Sequence, residues 1–368
     1  MNTARRMVYR EALAAIGFAT LAFLALFFFF DLVDELRWVN QSSADGYQLV
    51  HALAYSATLS VATLYDLIPI TVLIGSVFVM ARLATTSEFT VLRTSGLGPW
   101  RALRMMLGLG LMFALLTYAI GDFLVPLADR VGQSIRSAHA RPAGFGKTGA
   151  WLKDRQEGRS FAVNVGAFLP DAGMRRLRLI EFDASGRLLA TNEAQSARFD
   201  ADEAWTLQDV VRTEFNPDST GEPRALQSRL SELRWPTTLS AEMVSVALVR
   251  PERMPIVDLF QFMRHLDANG QSSQRYAIEF WRKVFYPLSC LVMVVLALPF
   301  AYLHFRNSGI STFVFIGVLS GISFFLLNDM FGHFGNLRNW WPWLTAAAPG
   351  LIYSLLSLSA FGWLVLRR

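Results

Sequence analysis

The stretch at residues 12–30 reads ALAAIGFATLAFLALFFFF and contains no charged side chain. An α-helix needs about 20 apolar residues to cross a bilayer core, so this stretch is long enough to span a membrane. A buried helix of a soluble protein would show a polar stripe, and this stretch has none. Five further runs share this character, at residues 67–81 (extendable back to Ala57 if Asp66 is tolerated), 105–121, 284–303, 310–327 and 344–366. The sequence therefore predicts six membrane-spanning helices.

A long polar segment separates the third run from the fourth and predicts a domain of its own. Alternating apolar residues such as Phe161, Val163 and Val165 indicate short strands, and turns are expected at 183–186 and 200–203. We expect an all-β domain at residues 131–255, built as an antiparallel sandwich or an open roll. After it, Val257 to Leu266 keep helical spacing up to a stop at Asn269-Gly270, which predicts an amphipathic helix at the outer membrane surface.

The expected architecture is thus a polytopic α-helical membrane protein of the 3+3 type with an inserted all-β domain. Residues 1–130 hold the first three spans, and residues 256–368 hold the amphipathic helix and the last three. Basic residues concentrate before the first run, between the second and third, and at the C-terminus. Because cytoplasmic loops carry an excess of Lys and Arg, both termini are expected in the cytoplasm and the β domain outside.

Signals for catalysis, metal binding or nucleic-acid binding fail closer inspection. The segment Gly144-Phe145-Gly146-Lys147-Thr148 resembles the end of a phosphate-binding loop, but Arg141 stands where that pattern needs its first glycine. The five histidines are scattered, with no pair at metal-ligand spacing on one predicted helix. The net charge of +5 comes from the cytoplasmic flanks and not from a basic patch interleaved with aromatic residues. We therefore expect no catalytic residue, metal, cofactor or nucleic-acid partner.

One cytoplasmic segment is more specific. Residues 85–96 read TTSEFTVLRTSG, in which Thr85 and Glu88 fit a capping box and Gly96 fits a C-terminal stop. The segment predicts a short helix across the cytoplasmic face, with Phe89 and Leu92 on one side. Such a helix can couple a membrane subunit to a soluble motor, with Phe89 and Leu92 as apolar anchors and Glu88 seeking a basic partner. In the alternative, Glu88 only caps its own helix.

Several segments resemble those of a known family. They are residues 83–96, the AWLKD opening of the β domain at 150–154, FWRKVFYPL at 280–288 and NDMFG at 328–332. Together with the order of three spans, a domain and three spans, they are similar to the LptF/LptG permeases of lipopolysaccharide export. The resemblance covers essentially the whole chain. Within the family, the β-domain opening and the end of the fifth span are more similar to the LptG members.

The resemblance implies an ABC transporter permease of the Gram-negative inner membrane. Such a permease extracts lipopolysaccharide from the outer leaflet and passes it to a periplasmic bridge. The implied partners are an LptF-like permease, a dimer of LptB-like ATPases that hydrolyses the ATP, and an LptC-like protein that inserts one helix at a gate. The β domain would be a periplasmic β-jellyroll, and the first, second and fifth spans would enclose the lipid cavity.

The resemblance also implies where the sites lie. ATPase coupling would fall on Glu88, Phe89, Leu92 and Arg93 of the cytoplasmic helix. Lipid binding would fall on residues of the first and fifth spans, namely Phe27, Phe30, Phe313, Ile316, Ser320 and Phe324. Some relatives carry a basic residue at the outer end of the first span, where this sequence has Asp31. Arg37 is the substitute candidate for a phosphate contact, and its alternative is an ordinary solvated interfacial residue.

Other function classes remain open from the residues alone. A secondary transporter needs an ionisable residue near the membrane midplane, and the nearest candidate, Asp66, lies about 22 Å from Ala81 along a helix and so nearer the outer surface. A membrane enzyme needs clustered polar groups, and none is visible in the predicted spans. A non-transporting assembly scaffold fits the topology but leaves the cytoplasmic helix unexplained.

Overall fold

A computed structural model describes most of the chain. The described residues are 2–41, 47–94, 98–138, 150–156, 158–168, 173–200, 204–217, 223–237, 251–302 and 310–363, with the single positions 96, 239 and 244. They divide into two compact units. The helical unit comprises Met1–Gly132 and Gln274–Arg368, and the sheet unit comprises Gln133–Ser273. The sheet unit therefore runs past the boundary expected at residue 255.

The helical unit contains the membrane-spanning helices. Among the described residues, six helical segments are long and apolar enough to cross a membrane, and each overlaps one of the runs expected from the sequence. The helices extend beyond the apolar runs at most ends. Their bounds are α1 Asn2–Gln41, α2 Leu49–Thr85, α3 Glu88–Thr94, α4 Pro99–Ala119, α5 Val125–Ala138, α7 Gln274–Phe285, α8 Ser289–Ala297, α9 Ile310–Leu337 and α10 Pro342–Phe361.

Helix α2 is the most buried span of the unit, and α1 and α9 pack against it. Small residues allow these close approaches. Gly75 of α2 faces the backbone of Ile16 in α1, while Gly317 and Gly321 of α9 face Val77 and Ile70 of α2. Gly317 and Gly321, four residues apart, therefore let α9 pack closely on α2 within this bundle.

Two spans depart from α-helical geometry. Between α4 and α5, residues Ile120–Leu124 form a π-helical turn, in which the Val125 N–H donates to the Ile120 carbonyl. Between α7 and α8, residues Tyr286–Leu288 form a 3₁₀ turn, and a second 3₁₀ turn at Leu298–Ala301 ends this fourth span. Proline accounts for the positions of these breaks, because it lacks the N–H that an α-helix needs.

The sheet unit is an antiparallel meander. Six strands pair in chain order, and each pairs with the next. The expected turn at 183–186 is present, with Gly186 at a φ of 82°. Jellyroll crossovers are not seen among the described strands, whose order is sequential. The strands are β1 Ala150–Gln156, β2 Arg159–Phe168, β3 Gly173–Asp183, β4 Leu188–Asp200, β5 Ala204–Pro217 and β6 Pro223–Pro236.

The sheet curls until its two edges meet at one end. The Thr237 hydroxyl, just after β6, donates to the Asp154 carboxylate of β1 at 2.6 Å, and the Gln156 amide donates to the Pro236 carbonyl at 2.7 Å. The rings of Phe161 and Trp235 lie 5.9 Å apart. Since β1 and β6 are the edge strands, these contacts make the sheet an open roll, one of the two forms expected.

Helix α6, Ile256–Ala268, follows the sheet and lies where the sequence predicts an amphipathic helix, whose place at the membrane surface stays a prediction. Leu259, Phe262 and Leu266 are its buried residues, and Gly270 has the positive φ of 62° that a helix stop uses. The Arg155 N–H of β1 donates to the Asn269 side-chain oxygen at 3.2 Å. The end of α6 is therefore attached to the sheet, which is why the unit extends to Ser273.

Candidate functional site

The short helix α3 begins differently from the capping box expected at Thr85 and Glu88. Thr85 is the last residue of α2, and its hydroxyl donates to the Arg82 carbonyl at 2.9 Å. Ser87 has a φ of 60°, which turns the chain between the two helices, and its carbonyl accepts the Val91 N–H at 3.2 Å. The capping-box prediction was wrong, because Thr85 still lies inside α2 and Glu88 is the first residue of α3, so neither stands where the motif requires it.

The apolar anchors of α3 face its own bundle. Phe89 is 4% exposed, and its ring lies edge-on to that of Tyr302 at 4.9 Å. Leu92 is partly buried against the same apolar core, and the Arg93 guanidinium lies 5.7 Å from the Tyr302 ring. The expectation that Phe89 anchors a separate protein is corrected, since a buried ring is not available to a partner. Phe89 instead fixes α3 to the membrane unit.

The exposed side of α3 carries a residue that the sequence analysis passed over. Val91 is 63% exposed, and Glu88 lies partly exposed at the first position of the helix. Helical spacing places Val91 about 200° around the axis from Phe89 at 100° per residue, so the signal was available in the sequence. An apolar side chain in water beside a carboxylate is the feature of α3 that suits a partner.

The end of α3 is fixed by a glycine and an arginine. Gly96 has a φ of 97°, as its predicted role of helix stop requires, and its N–H donates to the Arg93 carbonyl at 3.1 Å. The Arg101 guanidinium of α4 donates to the Gly96 carbonyl at 3.0 Å. The helix is therefore held at Phe89 in its first turn and just beyond its last residue.

The candidate lipid-binding residues of α1 lie on an exposed apolar surface. Phe27 is 43% exposed and Phe30 is 55% exposed, and few residues of the apolar part of α1 are buried within the bundle. Arg37, further along α1, forms an ion pair with Asp34 at 3.8 Å, and both side chains are largely exposed. Phe27, Phe30 and Arg37 therefore remain candidates for contact with a lipid.

The candidates on α9 divide between two faces. Phe313 is 3% exposed and Phe324 is 2% exposed, and Phe324 lies edge-on to Tyr353 of α10 at 5.1 Å. Both are corrected to packing residues, because they belong to the stripe of α9 that is buried within its bundle. Ile316, which is 41% exposed, stays a candidate.

Ser320 is engaged through its backbone. Its carbonyl accepts hydrogen bonds from the Tyr353 hydroxyl at 3.0 Å and from the Ser323 hydroxyl at 3.1 Å. The Tyr353 bond ties α9 to α10, whereas the Ser323 bond lies within α9, and both leave the partly exposed Ser320 side chain as a candidate for lipid contact. Sequence reasoning also missed Glu35, a buried carboxylate of α1 that accepts the Tyr47 hydroxyl at 2.7 Å.

Among the described residues, no group of three or more His, Cys, Asp or Glu side chains could hold a metal ion. The phosphate-loop-like segment at 144–148 lies outside the described residues, as do His139 and His304. Cys290 is a buried free thiol in α8, in contact with the Thr117 hydroxyl at 3.5 Å.

Comparison with known proteins gives one consistent result. The family model for the lipopolysaccharide export system permease LptF/LptG matches residues 6–367. The chain is 26% identical to the lipopolysaccharide export system permease protein LptG of Haemophilus influenzae, over all of this chain and 99% of that protein. It is also 26% identical to the protein of the same name from Escherichia coli K12, over 91% of this chain and 90% of the relative.

Proposed function

This chain belongs to the lipopolysaccharide export permease family LptF/LptG, and on that basis we propose that it is the LptG-type half of an ATP-driven permease. Family membership and the six apolar helices make it a multi-pass permease subunit of the inner membrane that serves lipopolysaccharide transport. The similarity is to LptG proteins along the full chain.

In the proposed mechanism, lipopolysaccharide is extracted from the outer leaflet and handed to a periplasmic bridge. Phe27, Phe30, Ile316 and the Ser320 side chain line part of the acyl-chain chamber, whose other half comes from an LptF-like permease. Arg37 attracts the lipid phosphates, and its pairing with Asp34 limits this help. A cation at headgroup level attracts an anionic lipid by about 1 kcal/mol. An LptC-like protein supplies one further helix at a gate.

The orientation of the chain completes the proposal. The basic flanks of the spans favour cytoplasmic termini and a periplasmic sheet unit, by the positive-inside rule. The short helix α3 then lies on the cytoplasmic side, where a dimer of LptB-like ATPases binds and hydrolyses ATP. This chain is the non-enzymatic membrane part of the machine.

The observation that carries the proposal is the two-sided construction of α3. Its inner side is fixed by Phe89 against Tyr302, and its outer side offers Glu88 and Val91. A helix held rigidly on one side can pass the movement of a bound motor to the spans. An ordinary surface turn has no need for an exposed valine beside a carboxylate at a fixed position.

The variant Glu88→Ala tests this role. We expect several-fold weaker co-purification with the ATPase and a similar loss of lipid-stimulated ATP hydrolysis, because one partly exposed hydrogen bond contributes about 0.5–1.5 kcal/mol, a factor of about 2 to 13 in affinity. The thermal unfolding midpoint of the permease should stay unchanged. The matched control is Thr90→Ala, a neighbouring exposed position. Unchanged recovery of the ATPase in Glu88→Ala would remove the coupling role from this residue.

A further inference from the structure

The π-helical turn at Ile120–Leu124 leaves one backbone carbonyl without its usual donor. In an α-helix the Gly121 carbonyl would accept the N–H of residue 125, but the Val125 N–H donates to Ile120 instead. In a π-helix the donor would be residue 126, and Pro126 has no N–H. A buried carbonyl without a partner is costly, so this turn needs a donor from elsewhere.

Lys283 of α7 supplies that donor from the neighbouring span. Its ammonium nitrogen lies 3.0 Å from the Gly121 oxygen, and the residue is 4% exposed. The carboxylates of Glu279, Asp122 and Asp66 are near enough to act on its charge. A lysine at the end of a span ordinarily extends its ammonium towards water, whereas this one points into the bundle. Its hydrogen bond crosses from one span to another.

The same level of the bundle contains a second cross-link. The Tyr286 hydroxyl, in the 3₁₀ turn of the fourth span, donates to the Asp66 carbonyl of α2 at 2.7 Å. The rings of Tyr286 and Tyr65 lie 5.1 Å apart, and a side chain at Gly121 would strike the Tyr65 ring. Near its break, the fourth span is therefore bonded both to the π-helical turn of the third span and to α2. We name the Lys283–Gly121 bond the inter-span tie.

The position of the tie in the chain suggests its use. The third and fourth spans are the two that continue into the sheet unit, which begins at residue 133 and ends at residue 273. The third span is interrupted at Gly121, which accepts the bond, and the fourth is interrupted just after Lys283, which donates it. Interrupted helices bend more easily at such places than regular ones. Without a tie, the two connections could bend independently when the spans move.

We propose that Lys283 is a positioning residue of transport, which holds the Gly121 carbonyl so that the third and fourth spans move as one body. This inference rests on the transport role proposed above. Lys283 touches neither lipid nor nucleotide. It acts through the π-helical turn. When the spans move, the two connections to the sheet unit then move together.

A distance measurement across the tie tests the proposal in the assembled complex with its ATPase. Spin labels are placed at Leu127 of α5 and Leu288 of the 3₁₀ turn, which are 63% and 47% exposed. The native Cys290 is fully buried and should not react. With Lys283 intact, we expect one narrow distance distribution that is the same with and without trapped nucleotide. In Lys283→Met we expect a broadened distribution that changes with nucleotide.

Two further variants separate the tie from general destabilisation. Lys283→Arg keeps donors at this place and should restore the narrow distribution. Arg282→Met is the matched control, because Arg282 bonds to Glu279 in its own helix at 3.4 Å and not to the third span; it should leave the distribution narrow. If Lys283→Met does not assemble, Lys283→Gln serves for the same measurement, and an intermediate broadening is expected.

Lipid transfer gives the functional readout. Lys283→Met should reduce ATP-dependent transfer roughly 2- to 30-fold, the range typical of residues that couple distant parts of a protein. Narrow and nucleotide-independent distances in Lys283→Met, with normal transfer, would overturn the proposal. If the wild-type complex transfers no lipopolysaccharide, the proposed function fails, but the distances still decide whether the tie holds the spans together.

Discussion

At the scale of single residues, the hydrogen-bond partners of a few polar groups determine the local backbone geometry. Pro126 removes the donor that a π-helical turn needs, and Lys283 replaces it from another helix. Thr85 lies in the last turn of α2, where its hydroxyl donates to the Arg82 carbonyl. In each case the decisive question is which donor meets which carbonyl.

His265 of α6 gives a prediction at this scale. Burial lowers the pKa of His265 below its ordinary value of 6.5, and the Asp154 charge partly opposes this shift. Its Nε2 lies 3.2 Å from the Asn269 amide nitrogen, so the neutral ring can accept a hydrogen bond there. Protonation would place two donors against each other and weaken the contact between α6 and β1.

The sign of the pH dependence follows from that lowered pKa. Between the lowered pKa and the ordinary value of 6.5, the unfolded chain binds more protons than the folded one. The stability contributed by neutral His265 is therefore full above 6.5 and is lost as pH falls through the lowered pKa. As pH falls over this range, the protection of β1 amides against hydrogen exchange, measured relative to their intrinsic exchange rate, should fall in the full chain. His265→Gln should remove the part of this fall that His265 causes. An equal fall in His265→Gln would contradict the assignment.

Single-residue roles could be predicted from the sequence only in part. The stop at Gly96 and the turn at Gly186 were predictable, because glycine at a positive φ is a local requirement. The burial of Phe89, Phe313 and Phe324 was not, because it depends on which neighbour packs against each ring. Val91 was open to prediction from helical spacing and was missed.

At the scale of elements, α2 organises the helical unit because glycines at its contacts with α1 and α9 let these helices approach closely. Gly75→Ala would place a methyl group 2.7 Å from the Ile16 nitrogen and 2.8 Å from its Cα, so α1 would have to move. We expect a loss of about 1–3 kcal/mol from overpacking and a lower thermal unfolding midpoint. The matched control is Gly17→Ala on α1, whose added methyl group would meet nothing within 4 Å. Equal midpoints for the two variants would show that α1 does not depend on this contact.

Hydropathy predicted the number of spans, but it could not predict which face of each span is buried in the bundle. The interior of the bundle and the lipid are both apolar, so Phe313 and Ile316 look alike in the sequence although one is buried and the other exposed. The strands were easier to predict, because one face of the sheet is polar and apolar and polar residues therefore alternate along the sequence. Their sequential order and the closure of the roll through Asp154 depend on pairing between distant residues.

At the scale of the whole molecule, the chain combines a membrane unit with a curled sheet inserted between its third and fourth spans. The family resemblance seen in the sequence is confirmed by a family model that covers nearly the entire chain. The sequence motifs that carried it include the segment around α3 and the FWRKVFYPL stretch, which holds Lys283 and Tyr286. These motifs therefore coincide with the contacts that hold the short helix and the inter-span tie in place.

The most direct test of the account is ATP-dependent transfer of lipopolysaccharide in proteoliposomes. The vesicles contain this chain with its partner permease, the ATPase and the LptC-like protein, and a soluble acceptor outside captures the released lipid. We predict transfer that requires ATP and falls several-fold with Glu88→Ala, while the Thr90→Ala control transfers normally. Transfer no greater with ATP than without it, in a complex that still hydrolyses ATP, would contradict the central claim that this chain is a lipopolysaccharide export permease.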